Sequence, residues 1–417
     1  MGKKYVDLKW DFISANTKEY THCYNTYPAM MIPQVAREII NKYKSSSMKL
    51  LFDPYCGSGT SLVEANLAGL NAIGTDLNPL ARLITKAKTT KIDLSVLDRE
   101  IEKFTIEILR EESNRLKKNV KYPIFDNMEY WFKEENVKEL AIILNYIKNI
   151  QNEEIKLFFL VAFSETVRYV SLTRNGEFKL YRIDKDKIAL HNECAFTIIE
   201  ERLIRNRNGL EDYIKTIEND CFSIIKDFNT IEPILEIEKE SIDIIVTSPP
   251  YGDSKTTVAY GQFSRLANQW LEVENANNID NILMGGKKRK IEKFQYELLD
   301  STISKIADED VKRAEEVFSF YYDYRHSINN ISKVVKKDGI VAYVVGNRTV
   351  KNQVLQTDEF TRYFFEQNGF EHVETIIRNI PNKRMPKRNS PSNEKGKTVS
   401  TMNNEFIVIM RKVIKDE

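Results

Sequence analysis

The sequence has few of the residues that build metal sites and disulfide frameworks. Its 417 residues include only four cysteines and four histidines. Structural zinc sites need clustered thiolates and imidazoles, and disulfide frameworks need cysteines at recurring spacings. The cysteines are Cys23, Cys56, Cys194 and Cys221, and no two of them form a C-x-x-C pair. We therefore expect neither a metal site nor a disulfide framework.

Long hydrophobic runs are also missing. The most apolar stretch, residues 157–163, is far shorter than the roughly 20 residues that a membrane-spanning helix needs. The amino terminus leads directly to Asp7, Lys9 and Asp11, without the apolar core of a signal peptide. With 42% hydrophobic and 29% charged residues, the composition is typical of a globular protein. These features predict a cytoplasmic protein with no membrane partner.

An excess of charge of one sign is absent as well. The 62 basic residues nearly balance the 61 acidic ones, so the net charge is only +1. Total charge therefore gives no indication of a nucleic-acid partner. Basic residues do cluster at 202–207, 287–290 and 383–388. Each cluster is either solvated surface or a set of phosphate contacts, and the sequence leaves both alternatives open.

Two motifs each follow an apolar run of strand character, at 49–52 and 242–246. They read Asp53-Pro54-Tyr55-Cys56-Gly57-Ser58-Gly59-Thr60 and Thr247-Ser248-Pro249-Pro250-Tyr251. A helix pattern at 61–68 and a strand pattern at 71–74 come after the first motif, which predicts a β-α-β unit. Open parallel sheets bind ligands at the carboxyl ends of their strands, so both motifs are candidate site loops.

The first motif has the chemistry of a nucleotide-binding turn. Gly57 and Gly59 permit a tight turn and a close approach of the backbone to a ligand. Asp53 can accept a hydrogen bond from a ligand ammonium, and Asp76, after the next strand, fits a carboxylate that binds ribose hydroxyls. Leu62 occupies the third glycine position of the G-x-G-x-x-G pattern. Its presence argues against a nicotinamide cofactor.

Together, the two motifs resemble the cofactor loop and the S-P-P-Y tetrapeptide of the DNA amino-methyltransferases of restriction–modification systems. The resemblance covers about 20–95, 213–270 and 335–411. It implies S-adenosylmethionine as cofactor, double-stranded DNA as substrate, and a restriction endonuclease of the same specificity as a partner. The cofactor-binding residues that it implies are Tyr27, Pro28, Asp53, Pro54, Tyr55, Gly57, Gly59, Thr60, Asp76, Leu77, Asn78, Asp220 and Cys221.

Two weaker segments carry part of this resemblance. Tyr27 and Pro28 resemble a motif that packs against the methionine end of the cofactor. Asp220 and Cys221, interpreted as the end of a strand, resemble the acid that bonds the adenine amine.

The second motif suits methyl transfer to an exocyclic amine, whose lone pair is delocalised into the base. Ser248 can accept one N–H of the amine, and the Pro249 carbonyl can accept the other. Pro249 and Pro250 stiffen the loop. Tyr251 can stack on a base that has been flipped out of the duplex. Ser248, Pro249, Pro250 and Tyr251 are therefore the candidate catalytic residues.

The sequence bears on the choice of base as well. Methylation at C5 of cytosine needs a thiolate nucleophile, which follows a proline in the pattern of the enzymes that catalyse it, and none of the cysteines here follows a proline. In the family that this chain resembles, serine at the first motif position goes more often with N4 of cytosine than with N6 of adenine. We expect cytosine N4, with adenine N6 as the alternative. An RNA amino-methyltransferase and a catalytically silent DNA-binding subunit are further alternatives.

The predicted fold is α/β, a Rossmann-like and mostly parallel sheet with a C-terminal antiparallel hairpin and a mostly helical insertion. The predicted units are residues 1–92 and 213–417 of the core and 93–212 of the insertion. The core contains a polar excursion or mobile loop at 272–312 and a long loop at 380–403.

The insertion is the first candidate for reading the DNA sequence. It interrupts the sheet after the second strand, so we expect it to emerge at the carboxyl edge, opposite the catalytic face. Arg174, Lys179 and Arg182 in its turn at 171–182 suit phosphate or guanine contacts. An ordinary basic turn is the alternative for this segment. The other candidate segments are the excursion at 272–312 and the long loop at 380–403, with Lys383 and Arg384.

Overall fold

The computed structural model describes residues 2–113, 120–217, 220–254, 257–380, 388–389, 399–400 and 403–413. Its main feature is a sheet of eight strands in the order β1-β9-β12-β6-β5-β2-β3-β4. These strands are β1 Lys3–Val6, β2 Leu50–Asp53, β3 Asn71–Thr75, β4 Ser223–Lys226, β5 Ile242–Thr247, β6 Val335–Val345, β9 Phe370–Asn379 and β12 Asn404–Lys412. Two small antiparallel pairs complete the strands, β7 Arg348–Val350 with β8 Gln353–Leu355 and β10 Arg388–Asn389 with β11 Val399–Ser400.

The sheet is parallel except at β12, which runs antiparallel to both β6 and β9. The helices are α1 Pro33–Tyr43, α2 Thr60–Leu67, α3 Pro79–Thr89, α4 Leu94–Ser113, α5 Met128–Trp131, α6 Glu134–Asn149, α7 Glu153–Val170, α8 Lys185–Ile188, α9 Ala195–Thr216, α10 Tyr260–Trp270, α11 Ile279–Ile282, α12 Glu297–Glu309, α13 Val311–Ser332 and α14 Thr357–Glu366. Short 3-10 helices span Leu8–Asp11 and Tyr20–Tyr24. The predicted fold class is confirmed.

The central strands are apolar on both faces because helices cover both faces of the sheet. All six residues of β5 are buried. Along this strand, Ile242 and Ile245 join the cluster formed with α12, α13 and α14, whereas Ile244 and Val246 join the cluster formed with α1 and α2. A strand buried in this way has a continuous apolar run instead of an alternating one.

The insertion is helical, as the sequence predicts, and it packs directly on the core. Phe158 and Phe163 of α7 share one hydrophobic cluster with Leu80 and Ile84 of α3. Helix α3 lies between β3 and the first helix of the insertion, α4. The emergence of the insertion at the carboxyl edge stays a prediction.

The segment 272–312 is also more ordered than its polar composition indicates. It contains α11 and α12. Phe294, Leu299 and Ile303 are buried in the cluster that includes α13, so the segment forms part of one helical face of the sheet. Among the described residues, no helix has the length and apolar character needed to cross a membrane.

Candidate active site

The two sequence motifs meet at the carboxyl edge of the sheet. Strands β2 and β5 are neighbours and run parallel, with Phe52 opposite Ile245. The loops that follow them must therefore lie side by side. The Thr247 hydroxyl donates a 2.6 Å hydrogen bond to Asp53 Oδ1, and both residues are buried. This bond joins the end of β5 directly to the start of the predicted cofactor loop.

A cleft of about 920 Å³, with the solvent at its mouth included, opens at this junction. Its lining comes from the cofactor loop, residues 27–31 and 76–78, the S-P-P-Y loop, and three places that the sequence did not single out: residues 228–231, Tyr260 and residues 283–284. The lining residues are Tyr27, Pro28, Ala29, Met30, Met31, Asp53, Pro54, Tyr55, Cys56, Gly57, Ser58, Thr60, Ser61, Asp76, Leu77, Asn78, Phe228, Asn229, Thr230, Ile231, Ser248, Pro250, Tyr260, Leu283 and Met284.

Two glycines give the cofactor loop its shape. Gly57 and Gly59 have φ angles of +49° and +79°, in the left-handed region that other residues rarely adopt. At Gly59 a Cβ atom would also lie 2.8 Å from Thr85 Cγ2 of α3, so a side chain there would push two helices apart. The tight turn lets α2 begin immediately after the loop, with its first N–H groups close to the cleft.

Asp76 is held beside this turn by backbone N–H groups. Its Oδ2 accepts from Gly57 N at 3.0 Å and its Oδ1 accepts from Asn78 N at 2.8 Å. Burial raises the pKa of its carboxyl, and the two N–H bonds act in the opposite direction. A carboxylate has about four acceptor positions, so both oxygens keep lone pairs for ligand hydroxyls.

Asp53 is almost fully buried, and burial raises its pKa to about 6, against the opposing effect of hydrogen bonds from Thr247 and the Tyr55 backbone. No basic side chain is among the causes of this shift. The ionised carboxylate is therefore poorly compensated by the protein itself, which favours a cationic ligand beside it.

Asn78 lines the cleft, but its amide is already used within the protein. Its Nδ2 donates to Tyr27 Oη at 2.9 Å and to Ser264 Oγ at 3.0 Å, and its Oδ1 caps α3 through Leu80 N. The side chain therefore shapes the cleft, and a contact between Asn78 and the cofactor stays a prediction. Tyr27 stacks on Tyr260 with 6.0 Å between ring centroids and forms one wall.

The assignment of Asp220 and Cys221 to the cofactor site is wrong. The strand runs from Ser223 to Lys226, so both residues precede it and lie at the amino end of a parallel strand. The carboxyl end of β4 instead leads to 228–231, which lines the cleft. The sequence signal was weak because β4 has only four residues, two of which are exposed.

The S-P-P-Y loop places Ser248 and Pro250 on the cleft wall. Tyr251 turns its hydroxyl to Glu405 of β12, donating to Oε1 at 2.9 Å. Burial and the neighbouring Glu405 raise the pKa of Tyr251 well above its usual value, whereas a hydrogen bond with Ser248 lowers it. The phenol therefore stays protonated and acts as a donor. Its partner is 154 positions away in the sequence, and no local motif predicts it.

Leu283 and Met284 reach the cleft from the segment 272–312. The basic run behind them is partly neutralised, since Lys288 pairs with Glu315 at 2.6 Å and Arg289 with Asp323 at 3.1 Å. Lys287 and Lys290 are exposed. The run at 202–207 is structural, because Arg202 and Arg205 both pair with Glu165 and Arg207 pairs with Asp98.

The turn at 171–182 is a small hairpin, with Thr173 bridged to Arg182. Arg174 pairs with Glu177 at 3.4 Å and Asp184 at 3.0 Å, and Arg182 lies 4.2 Å over the Tyr130 ring. Lys179, half-exposed, has no ion pair within the described part of the chain. Lys383 and Arg384 lie outside the described residues.

A buried arginine brings this hairpin to the catalytic side. Arg168 donates to the Glu177 carbonyl at 2.6 Å and to the Phe263 carbonyl at 3.3 Å, and its guanidinium lies 4.1 Å over the Phe263 ring. Leu180 N also donates to Gln262 Oε1 at 3.2 Å. Because Gln262 and Phe263 belong to α10, the helix after the S-P-P-Y loop, the hairpin is fixed near that loop.

Similarity to known proteins agrees with this geometry. Residues 2–86 match a family model described as a DNA methylase. The type II methyltransferase M.MvaI of Kocuria varians is 43% identical, over 97% of this chain and 93% of that protein. This chain belongs to the type II DNA methyltransferases. A second relative, the type II methyltransferase M.MjaII of Methanocaldococcus jannaschii, is 23% identical over 88% of this chain and 82% of its own length.

Among solved structures, an rRNA methyltransferase, aviRa of Streptomyces viridochromogenes, is 10% identical over 92% of this chain and 86% of its own length, with a TM-score of 0.33. This likeness is too low to support a conclusion about function. The family membership makes S-adenosylmethionine the cofactor of this methyltransferase. The cleft fits it: Asp76 has free lone pairs for ribose hydroxyls, and the buried Asp53 favours a cation.

We expect the affinity for S-adenosylmethionine to rise as the pH is raised through about 6. Below that pH Asp53 carries a proton, and above it the carboxylate attracts the cofactor ammonium. Titration calorimetry at several pH values measures this step. Asp53→Asn should bind weakly at every pH, without the step. A wild-type affinity that does not change with pH would show that Asp53 does not meet the ammonium.

Asp76→Ala should weaken cofactor binding, because hydrogen bonds to a charged group contribute on the order of 1.5–3 kcal/mol each. Calorimetry of the variant measures the loss of cofactor affinity. Asp212→Ala, at an exposed position on α9, is the control. The Asp76→Ala substitution also removes the acceptor of Gly57 N, so thermal melting without cofactor checks whether the turn itself is destabilised. Unchanged affinity in Asp76→Ala would exclude the ribose contact.

Proposed function

We propose that this methyltransferase transfers the methyl group to the exocyclic N4 amine of cytosine, in a base flipped out of double-stranded DNA. The observation that carries the proposal is the position of Ser248. The Thr247–Asp53 bond fixes the end of β5 against the cofactor loop, and the next residue lines the cleft. A hydroxyl at this point can hold an amine close to the methyl donor.

The chain's own residues have three tasks in this reaction. Ser248 and the Pro249 carbonyl accept hydrogen bonds from the target amine, which localises its lone pair and directs it into the cleft. Pro250 stiffens the loop, so this geometry is set before the base arrives. Tyr251 stacks on the flipped base. S-adenosylmethionine, when bound, supplies an electrophilic methyl group on a sulfonium.

The choice of cytosine over adenine depends on the serine at the first motif position. Serine, aspartate and asparagine all provide an oxygen acceptor, so adenine N6 is the second candidate. Nucleoside analysis by mass spectrometry, after digestion of plasmid DNA treated with the purified enzyme, distinguishes them. N4-methylcytosine is the expected product. N6-methyladenine would overturn the choice of base, and transfer to structured RNA alone would overturn the DNA substrate.

Ser248→Ala should retain cofactor binding and lose most methyl transfer. Loss of a positioned hydrogen-bonding group costs roughly 2.7–4 kcal/mol of barrier stabilisation, about a hundredfold to a thousandfold in rate. Incorporation of labelled methyl groups into DNA gives the rate, and calorimetry gives the cofactor affinity. Ser45→Ala, at an exposed position outside the cleft, is the control. A Ser248→Ala enzyme with wild-type turnover would remove the residue from the mechanism.

We further propose that the hairpin at 171–182 contacts DNA. Its attachment to α10 supports this, since Arg168 clamps it beside the catalytic loop. Arg174 is held by two carboxylates and Arg182 by an aromatic ring, so Lys179 is the most available cation of the three. Lys383 and Arg384, and a restriction endonuclease that shares the recognition site, also remain predictions.

Lys179→Ala should weaken binding to all DNA sequences alike and lower the slope of affinity against salt by about one ion, as expected for a phosphate contact. Fluorescence anisotropy at several salt concentrations measures both effects. The control is Lys337→Ala, an exposed lysine near the start of β6 at the opposite edge of the sheet. An unchanged salt slope would place the DNA elsewhere, and a changed sequence preference would indicate a base contact.

A further inference from the structure

Tyr251 is hydrogen-bonded to a strand that is distant from the S-P-P-Y loop in the sequence. Its hydroxyl donates a 2.9 Å hydrogen bond to Oε1 of Glu405, which lies near the start of β12. The prolines before Tyr251 restrict the backbone of the loop, but they leave the two side-chain torsions of the tyrosine free. The bond to Glu405 is a side-chain contact that restricts where the ring lies.

Glu405 is held in turn by Arg378. The two residues face each other across the antiparallel pair of β12 and β9. Arg378 Nη1 donates to the second carboxylate oxygen of Glu405, and Arg378 is only 4% exposed. A carboxylate with an arginine on one oxygen and a phenol on the other forms two charge-assisted hydrogen bonds, which are stronger and more directional than neutral ones.

The amino-terminal segment completes this arrangement. Arg378 Nε donates to the Trp10 carbonyl at 2.8 Å and its Nη2 to the Asp11 carbonyl at 3.4 Å. The Asp11 carboxylate accepts from Asn379 N at 2.7 Å and from Asn379 Nδ2 at 2.9 Å. The guanidinium is therefore fixed from two sides and has little freedom to follow a moving tyrosine.

We propose that Glu405 and Arg378 are positioning residues for methyl transfer, which act by holding the ring of Tyr251 ready to stack on the target base. The proposal rests on the role of Tyr251 given above. Holding the ring in advance removes the entropic cost of ordering it when the base enters. The effect should fall on methyl transfer to DNA and not on the binding of S-adenosylmethionine.

A purely structural role for the same ion pair makes a different prediction. It would lower thermal stability and disturb cofactor and DNA steps together, and it would not depend on the tyrosine hydroxyl. The test therefore combines Tyr251→Phe, Glu405→Gln, Glu405→Ala and the double variant of Tyr251→Phe with Glu405→Ala. Gln at 405 keeps an oxygen that can accept from the phenol.

Rates are measured as methyl incorporation into plasmid DNA, with kcat and KM separated, and cofactor affinity is measured by calorimetry. Tyr251→Phe and Glu405→Ala should each lower kcat on the order of tenfold, the loss typical of a hydrogen bond to a charged group. The double variant should be no slower than the slower single variant, because both substitutions remove the same hydrogen bond between Tyr251 and Glu405. Glu405→Gln should recover most of the rate.

Glu371→Ala is the matched control. Glu371 pairs with Arg411 across the same two strands, at their other end. Its replacement should leave kcat unchanged. Additive losses in the double variant, a rate in Glu405→Gln as low as in Glu405→Ala, or a parallel loss of cofactor affinity would each overturn the positioning role. Finding adenine as the modified base would refute the proposed target instead, and would leave this coupling test intact.

Discussion

The hydrogen bond from the Thr247 hydroxyl to the buried Asp53 carboxylate joins the two halves of the site. It exists only because β2 and β5 are parallel neighbours in a fixed register, with their carboxyl ends at one edge. A slip of one residue would turn Asp53 toward the opposite face of the sheet. The apolar residues on both faces of β5 therefore have a functional consequence, since the packing that fixes this register also fixes the distance between Ser248 and the cofactor loop.

Much of the fold, and the location of the cleft, follow from local sequence. Buried parallel strands appear in the sequence as continuous apolar runs. Two of these runs end in motifs whose residue types indicate their chemistry, the cofactor loop and the S-P-P-Y loop. The cofactor loop could be placed at a strand end because Gly57 and Gly59 allow the turn that the backbone adopts there. The family and its cofactor, inferred from these motifs, are confirmed by the relative of 43% identity that spans nearly the whole chain.

The rest of the site depends on contacts between distant residues, which no local pattern shows. Asp220 seemed a strand-ending acid because β4 is short and partly exposed, so its start and its end look alike in the sequence. Asn78 has the right neighbours for a ligand contact, yet Tyr27 and Ser264 already take its amide donors. Glu405 and Met284 reach the site from segments that are distant in sequence, and only the folded sheet brings them there.

Charge is where sequence and structure differ most. Arginines at 202–207 look like a phosphate-binding cluster, but Glu165 and Asp98 neutralise them within the helical layer. With a net charge of only +1, the protein cannot attract DNA through its total charge. The proposed attraction to DNA therefore depends on local cations such as Lys179, which has no ion pair among the residues that the structure describes.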